Sequence, residues 1–264
     1  VKMLFWKKIL LERGGKNHLD SNGAAGVPAD YMGHDHIYRL ILQAERLMEK
    51  QDQEDEYALS KLANELKKQI PAIPDTDVSA IRAWLSDPAN QTAIQAVTEI
   101  NLSSQQLKVI PPEITALVNL QVLDLEENQI SEIPETMAAL VNLQVLHLSS
   151  NQISEIPAAI SQLVNLQELY LNGNQITEIP ETMAVLVNLQ ELHLSSNQIT
   201  EIPTGIGNLV NLQQLWLSGN QISEIPAEIT ALVNLQLLYL GGNQISEIPA
   251  AMAALRDRGV IRFN

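Results

Sequence analysis

Apolar residues recur through the second half of the chain in a pattern that repeats every 23 residues. The unit is clearest from residue 119 to residue 141, which reads NLQVLDLEENQISEIPETMAALV and then returns five more times with little change. One asparagine marks the middle of each unit, at Asn128, Asn151, Asn174, Asn197, Asn220 and Asn243. Self-similarity at a fixed period of about 20–29 residues predicts a solenoid in which each unit forms one coil.

The spacing within one unit predicts how a coil is built. Leu123, Asp124 and Leu125 alternate apolar, polar and apolar, which is typical of a half-buried strand. Seven apolar side chains of the unit should point into one interior, namely Leu120, Leu123, Leu125, Ile130, Ile133, Met137 and Leu140. A single loop of this length cannot enclose them, so each coil is expected to be stable only against its neighbours.

Two further residues of the unit have predicted structural roles. Asn128 is placed to turn the chain after the strand, and its amide can satisfy backbone groups of adjacent coils that would otherwise be buried without partners. Pro134 stands where a short helix or 3-10 turn begins, because its fixed φ and missing N–H are tolerated there. We therefore expect the column of asparagines to be structural.

The pattern LxxLxLxxNxIxxIPxxIxxL resembles that of the leucine-rich-repeat family. The resemblance covers about half of the chain and implies an α/β fold, a right-handed solenoid of horseshoe form with a parallel sheet on its concave face. It also implies that the solenoid binds other proteins. The 23-residue unit with its Ile-Pro pair looks like the intracellular repeats of Ras-pathway scaffolds and of bacterial proteins that act on host cells.

The residues before the repeats are predicted to form two parts. Residues 1–34 are expected to be a flexible segment, because residues 14–34 are rich in Gly, Asn, Asp and Ala without periodicity. Residues 1–13 mix basic and apolar side chains, which suits a secretory signal split by a lysine pair, a short amphipathic helix on a membrane or a partner, or an ordinary terminus. Residues 35–96 are predicted to be helical and to cap the first coil.

Three amphipathic helices are predicted within this cap. The first runs from Asp35 to about Lys50, and a polar break at residues 51–55 separates it from a second helix that ends near Gln69. The third begins after Asp77 and ends before Pro88. Its Trp84 is expected to fill the junction with the first coil.

The solenoid is predicted for residues 97–264, with an irregular coil at each end. Residues 97–119 match the pattern imperfectly, because Gln105 stands where asparagine is expected. At the other end, Ile261 and Phe263 occupy the leucine positions of a new strand, while Arg258 replaces the first leucine. Arginine at that position predicts a polar C-terminal cap.

Charge and composition exclude several classes of function. The net charge is −15, and residues 98–264 hold 4 Lys or Arg against 17 Asp or Glu, a net charge of −13. Such a surface repels phosphate, so we expect a partner with a basic surface and not a nucleic acid. We also expect no binding to a membrane, except through residues 1–13. The chain has no cysteine, which excludes disulfides and thiolate zinc sites. We expect a cytoplasmic protein or an effector secreted into a host cell, with no clear signal peptide.

The strand position between the two buried leucines carries the candidate binding residues. Read from coil to coil, this position holds Asp124, His147, Tyr170, His193, Trp216 and Tyr239, although aromatic residues make up only 4% of the chain. Trp216 is expected to be an accessible anchor, and Glu168 and Glu191 beside the row are expected to attract a basic partner. The alternative is that these rings merely stack on one another as cross-strand pairs.

Other chemistry is less well supported by the sequence. His147 and His193 lie two strands apart, roughly 9–10 Å, whereas zinc needs each nitrogen about 2 Å away, so no metal or cofactor is expected. The glutamates of the recurring Glu-Ile-Pro sequence are predicted to form a solvent-exposed row. They are Glu132, Glu155, Glu178, Glu201, Glu224 and Glu247. No catalytic set is present.

The predicted function is a non-enzymatic, monomeric protein-interaction module. The alternatives are the recognition part of a bacterial effector or ubiquitin ligase, and a receptor for a sugar or peptide.

Overall fold

The structure is a computed structural model that describes residues 29–74 and 77–263. Most of the segment predicted to be flexible, including residues 1–13, lies outside the described residues. The chain divides into two compact units, residues 1–53 and residues 54–264. The repeats and the side chains discussed below as a site all belong to the second unit.

Helix α1 spans Ala29–Lys67 without interruption. The predicted break at residues 51–55 is therefore wrong, because Gln, Asp and Glu are tolerated in a helix and the segment contains neither Gly nor Pro. The apolar face predicted for the first helix is not buried at Leu47, whose side chain is 62% exposed. In the second unit, by contrast, Leu59, Leu62 and Leu66 of the same helix are fully buried, as their spacing predicts.

Helix α2 spans Val78–Ser86 and begins and ends where the sequence predicts. Asp77 is its N-cap, with its Oδ1 accepting a hydrogen bond of 2.7 Å from the backbone N–H of Ala80. Ile81 and Leu85 are buried, and Trp84 is half-buried against the core, as expected of a residue that fills a junction. A 3-10 turn at Pro88–Asn90 and a short helix α3 at Gln91–Gln95 then lead into the sheet.

The repeats form one sheet of eight parallel strands arranged in chain order. Each strand pairs with the strand of the next coil in a register of 23 residues, so that Leu123 lies beside Leu146 and Leu146 beside Leu169. The strands are β1 Glu99–Asn101, β2 Val122–Asp124, β3 Val145–His147, β4 Glu168–Tyr170, β5 Glu191–His193, β6 Gln214–Trp216, β7 Leu237–Tyr239 and β8 Ile261–Arg262.

Each coil returns through a short 3-10 helix. These helices are Pro112–Ala116, Glu135–Ala139, Ala158–Gln162, Glu181–Val185, Thr204–Asn208, Ala227–Ala231 and Ala250–Met252, and helix α4 follows the last at Ala253–Asp257. Pro134 immediately precedes its helix in an extended conformation, and its carbonyl accepts the first hydrogen bond, 2.9 Å from Met137 N. The predicted 3-10 turn is thus confirmed, with the proline one residue earlier than the first helical position.

The apolar positions of the unit form a continuous core through the stacked coils. Leu120, Leu123, Leu125, Ile130 and Leu140 are fully buried, and so are their equivalents in the coils that follow through β6. The asparagines after the strands are buried from Asn128 to Asn220, whereas Ile245 and Asn243 of the β7 coil are half-buried, and the asparagines bridge neighbouring coils as predicted. The solenoid and its helical cap therefore agree with the fold expected from the sequence.

Both ends of the solenoid depart from the repeat. At the first coil, Tyr57 Oη of α1 donates to the carbonyl of Gln105 at 3.0 Å, and Arg82 Nε lies 2.7 Å from Glu113 Oε1. At the last, Arg258 Nη2 donates to the carbonyl of Leu235 at 3.3 Å, in keeping with a polar cap. Phe263, predicted in a leucine position, is instead 43% exposed, because no further coil covers it in the described chain.

Candidate functional site

The outward side chains of the strands lie in straight columns because the register is the same in every coil. The central column runs Asn101, Asp124, His147, Tyr170, His193, Trp216, Tyr239 and Arg262. All six residues predicted from the sequence are therefore brought together. Asn101 and Arg262 were missed, although adding or subtracting 23 from their neighbours would have found them.

Five rings of the central column form one continuous stack, which we call the ring row: His147, Tyr170, His193, Trp216 and Tyr239. Ring centroids are 4.4 Å apart for the first pair, then 4.5, 5.1 and 4.1 Å. The cross-strand stacking considered as the alternative is thus present. Trp216 lies between two rings and is half-buried, so it is less accessible than the sequence suggested. Because stacking fixes the rings, the row forms an ordered surface.

A second column lies beside the ring row, two residues earlier in each strand. It reads Val122, Val145, Glu168, Glu191, Gln214 and Leu237. Two carboxylates therefore occupy the middle of the column. Val122 and Val145 lie on one side of the carboxylates and Leu237 on the other, and all six side chains are partly exposed. Glu99 of β1 precedes Val122 in this column.

The two carboxylates are held by a hydrogen-bonded network. Tyr170 Oη donates to Glu168 Oε2 at 2.7 Å and lies 3.1 Å from Glu191 Oε2. His193 Nε2 is also 3.1 Å from Glu191 Oε2, and Gln214 Nε2 donates to Glu191 Oε1 at 2.7 Å. Glu191 thus has three partners and Glu168 has the Tyr170 hydroxyl, so both carboxylates are positioned before any ligand arrives.

The two rings that contact this pair of carboxylates carry no positive charge at neutral pH. Burial lowers the pKa of His193 despite the opposing effect of Glu191, so the imidazole is neutral. Burial, together with the hydrogen bond to Glu168, raises the pKa of Tyr170, so the phenol keeps its proton. The chain has no Lys or Arg from residue 109 to residue 255. The two charges therefore have no cationic side chain from strands β2 to β7 to balance them.

Metal chemistry has no support on this surface. Within residues 29–74 and 77–263, no group of three or more His, Cys, Asp or Glu side chains is placed to hold a metal ion. His147 and His193 are instead separated by the Tyr170 ring, which stacks on His147 and is tilted by 46° against His193. Across the same part of the chain, no helix is both long and apolar enough to cross a bilayer.

Two other columns run along the solenoid. The glutamates of the Glu-Ile-Pro phrase are all exposed, in agreement with a solvated row. The Asn and Gln that precede each strand line a groove of about 1100 Å³. Its asparagines bridge coils, as Asn165 does by donating to the carbonyl of Val141 at 2.8 Å. Successive glutamines also bond to one another, with Gln213 Nε2 3.3 Å from Gln190 Oε1. Both columns have the same residue in all six units.

A comparison between coils separates structural positions from free ones. The Asn-Leu-Gln before each strand and the Asn-Gln-Ile after it are identical in all six units. The outward strand positions, by contrast, hold Asp, His, Tyr and Trp in one column and Val, Glu, Gln and Leu in the other. Residues that the stacking requires repeat without change, whereas the outward strand positions vary between coils, as do 3-10 helix positions such as Glu135, Ala158 and Thr204.

Similarity to known proteins is consistent with this architecture. A leucine-rich-repeat region model matches residues 137–220, a leucine rich repeat model matches residues 95–153, and a two-copy leucine rich repeat model matches residues 210–251. Together the three models cover residues 95–251, which include strands β1 to β7. No curated protein matches the chain.

Two solved bacterial structures are similar in both sequence and fold. A leucine-rich-repeat protein of Leptospira interrogans is 34% identical over 67% of this chain, with a TM-score of 0.52, and this chain spans only 51% of its length. Internalin C2 of Listeria monocytogenes is 28% identical over 77% of this chain and 92% of its own, with a TM-score of 0.59. With the register, the buried asparagines and the three matching models, these similarities show that the chain belongs to the leucine-rich-repeat family.

Proposed function

We propose that the chain is a protein-interaction module that binds its partner through the outward face of the sheet and has no catalytic activity of its own. Leucine-rich-repeat proteins generally bind other proteins, which supports the class of function. The observation that carries the choice of surface is the difference between coils. Six nearly identical units vary at the outward strand positions, and those positions hold the ring row.

The ring row has the chemistry of an interface. Aromatic side chains bring large contact areas at low conformational cost and dominate binding energies at protein interfaces. Here their stacking has already ordered them, so little further entropy is lost on binding. The uncompensated carboxylates of Glu168 and Glu191 favour a partner with a basic surface. A net charge of −13 over residues 98–264 adds attraction at long range and disfavours nucleic acid.

The test compares two tryptophans that are both half-buried. The chain is used to capture a partner from lysate, and the captured protein is purified and titrated against the parent, Trp216→Ala and Trp84→Ala. Trp216 lies in the ring row and Trp84 in the cap. We expect Trp216→Ala to weaken binding by at least about tenfold and Trp84→Ala to leave it unchanged.

Circular dichroism and the melting temperature of each variant show whether it is folded. Equal binding by a folded Trp216→Ala and the parent would contradict the proposed surface. A larger loss from Trp84→Ala than from Trp216→Ala would place the interface at the cap instead.

A further inference from the structure

If the proposed function is correct, the order of side-chain types across the sheet face specifies the partner more closely. Along the column beside the ring row, the side chains are apolar, apolar, acidic, acidic, amide and apolar from β2 to β7. A ligand lying across the strands meets these residues in that order. The column is therefore a sequence of subsites rather than a uniform acidic patch.

The central subsite, formed by Glu168 and Glu191, lacks a cationic partner. Glu168 and Glu191 share the hydroxyl of Tyr170, which has a single hydrogen to donate, and Glu191 receives a second donor from Gln214. Both side chains are partly exposed, so the remaining lone pairs of the two carboxylates can accept hydrogen bonds from a ligand. His193 beside them is neutral because burial lowers its pKa. Charge complementarity thus calls for a cation supplied by the ligand.

A guanidinium fits this subsite better than an ammonium ion does. It is planar and carries five N–H donors in a fork, so it can bond to both carboxylates at once. A lysine supplies only a point charge and lacks this planar fork of donors.

The spacing of the neighbouring subsites matches an extended polypeptide. With strands about 4.8 Å apart, the point midway between Glu168 and Glu191 is roughly 7 Å from Val145 and Gln214 and roughly 12 Å from Val122 and Leu237. In an extended chain, side chains on one face are about 6.6 Å apart at two residues and about 13 Å apart at four. Side chains two and four residues from the arginine therefore reach the flanking subsites.

We propose that the sheet face binds an extended peptide segment of its partner with an arginine at its centre. Apolar side chains two and four residues to one side of the arginine contact Val145 and Val122. On the other side, a polar side chain two residues away meets Gln214, and an apolar one four residues away meets Leu237. The arginine bonds to Glu168 and Glu191.

The experiment is a selection of random nine-residue peptides, displayed on phage, on the full chain. We expect enriched sequences to contain an arginine with apolar residues at the two- and four-residue spacings. In titrations of the best synthetic peptide, replacement of that arginine by glutamine should weaken binding by about tenfold or more, and replacement by lysine by less. Enrichment of sequences without arginine, or no enrichment, would overturn the proposal.

Two paired variants separate local recognition from the overall charge. Glu168→Gln with Glu191→Gln removes both carboxylates of the subsite, whereas Glu178→Gln with Glu201→Gln removes two exposed glutamates from the same coils. Both pairs change the net charge equally. We expect only the first pair to lose the preference for arginine over glutamine. Retention of that preference by the first pair, or equal loss in both, would overturn the arginine subsite.

The same peptide titrated against Trp216→Ala distinguishes this inference from the proposed function. Peptides that bind without arginine but need Trp216 would overturn the arginine subsite and leave binding at the sheet face intact. The proposed function itself is judged by the purified natural partner, in the titrations against Trp216→Ala and Trp84→Ala.

Discussion

The buried asparagines offer the sharpest test of how the coils are held together. Asn174 is 8% exposed and bridges two coils. Its Oδ1 accepts from the backbone N–H of Ile153 at 3.0 Å, and its Nδ2 donates to the carbonyls of Leu148 and Leu171, each at 3.0 Å. The substitution Asn174→Ala removes all three bonds and leaves the apolar core unchanged.

The expected cost can be worked out from the neighbouring bonds. The carbonyl of Leu148 keeps a hydrogen bond from Asn151, and that of Leu171 keeps one from Asn197, so neither loses its last partner. The N–H of Ile153, which is buried, loses the bond to Asn174. An unsatisfied buried group costs about 1–3 kcal/mol, and the two weakened carbonyls add a fraction of that. We therefore expect a loss on the order of 3 kcal/mol, or a melting temperature lower by about 6–12 °C.

The matched control is Asn165→Ala. Asn165 is exposed and makes one comparable bond, 2.8 Å from its Nδ2 to the carbonyl of Val141, which water can replace. We expect its loss to cost at most about 1 kcal/mol. The assay is equilibrium unfolding in guanidinium, followed by circular dichroism, with thermal melts alongside. Equal destabilisation by the two substitutions would refute the argument that burial makes the asparagine column essential.

Three further predictions concern the cap, the ring row and the charge. A chain of residues 54–264 should unfold cooperatively in denaturant melts. A chain of residues 97–264 should aggregate or lose cooperativity, because it lacks Leu59, Leu62 and Leu66, which cover the first coil. Equal stability of the two truncated chains would contradict this prediction. Burial lowers the folded pKa of His193, although Glu191 and Glu168 oppose the shift and His147 adds to it. The unfolded chain therefore binds the proton first, and the stability due to His193 should fall from pH 7.5 to 5.5. The unfolding free energy of His193→Gln should fall less over the same range. Raising sodium chloride from about 20 to about 300 mM shortens the Debye length from roughly 20 to roughly 6 Å. Because residues 98–264 carry a net charge of −13, this screening should raise the melting temperature. A lower melting temperature at high salt would contradict the proposed repulsion between like charges.

The repeat alone was sufficient to predict the sheet. A period of 23 residues places His147 beside Tyr170 and Leu146 beside Leu169, and the structure has this register throughout. The asparagine column was also predictable, because a buried turn must satisfy its backbone groups. Where the repeat stops, prediction was weaker. Helix α1 continues through residues 51–55, where a polar composition was mistaken for a break.

The site was predictable in its membership but not in its contacts. Column positions follow from arithmetic, whereas the stacking of Trp216 between two rings depends on side-chain rotamers that periodicity does not encode. The same holds for the hydroxyl of Tyr170 between two carboxylates. The identity of the partner depends on a second molecule, so the sequence of this chain limits its chemistry and does not name it.

Near-identity of the coils has a consequence for how the chain reaches its native state. If β4 took the place of β3, the leucines would meet leucines, and Asn174 would stand where Asn151 belongs. A slip of one whole coil would therefore keep most interior contacts, and its energetic penalty would fall at the ends. Only the helices before β1 and the arginines after β7 have no substitute one coil away. The caps thus choose among otherwise similar alignments, which makes them the part of the molecule that gives the native fold its uniqueness.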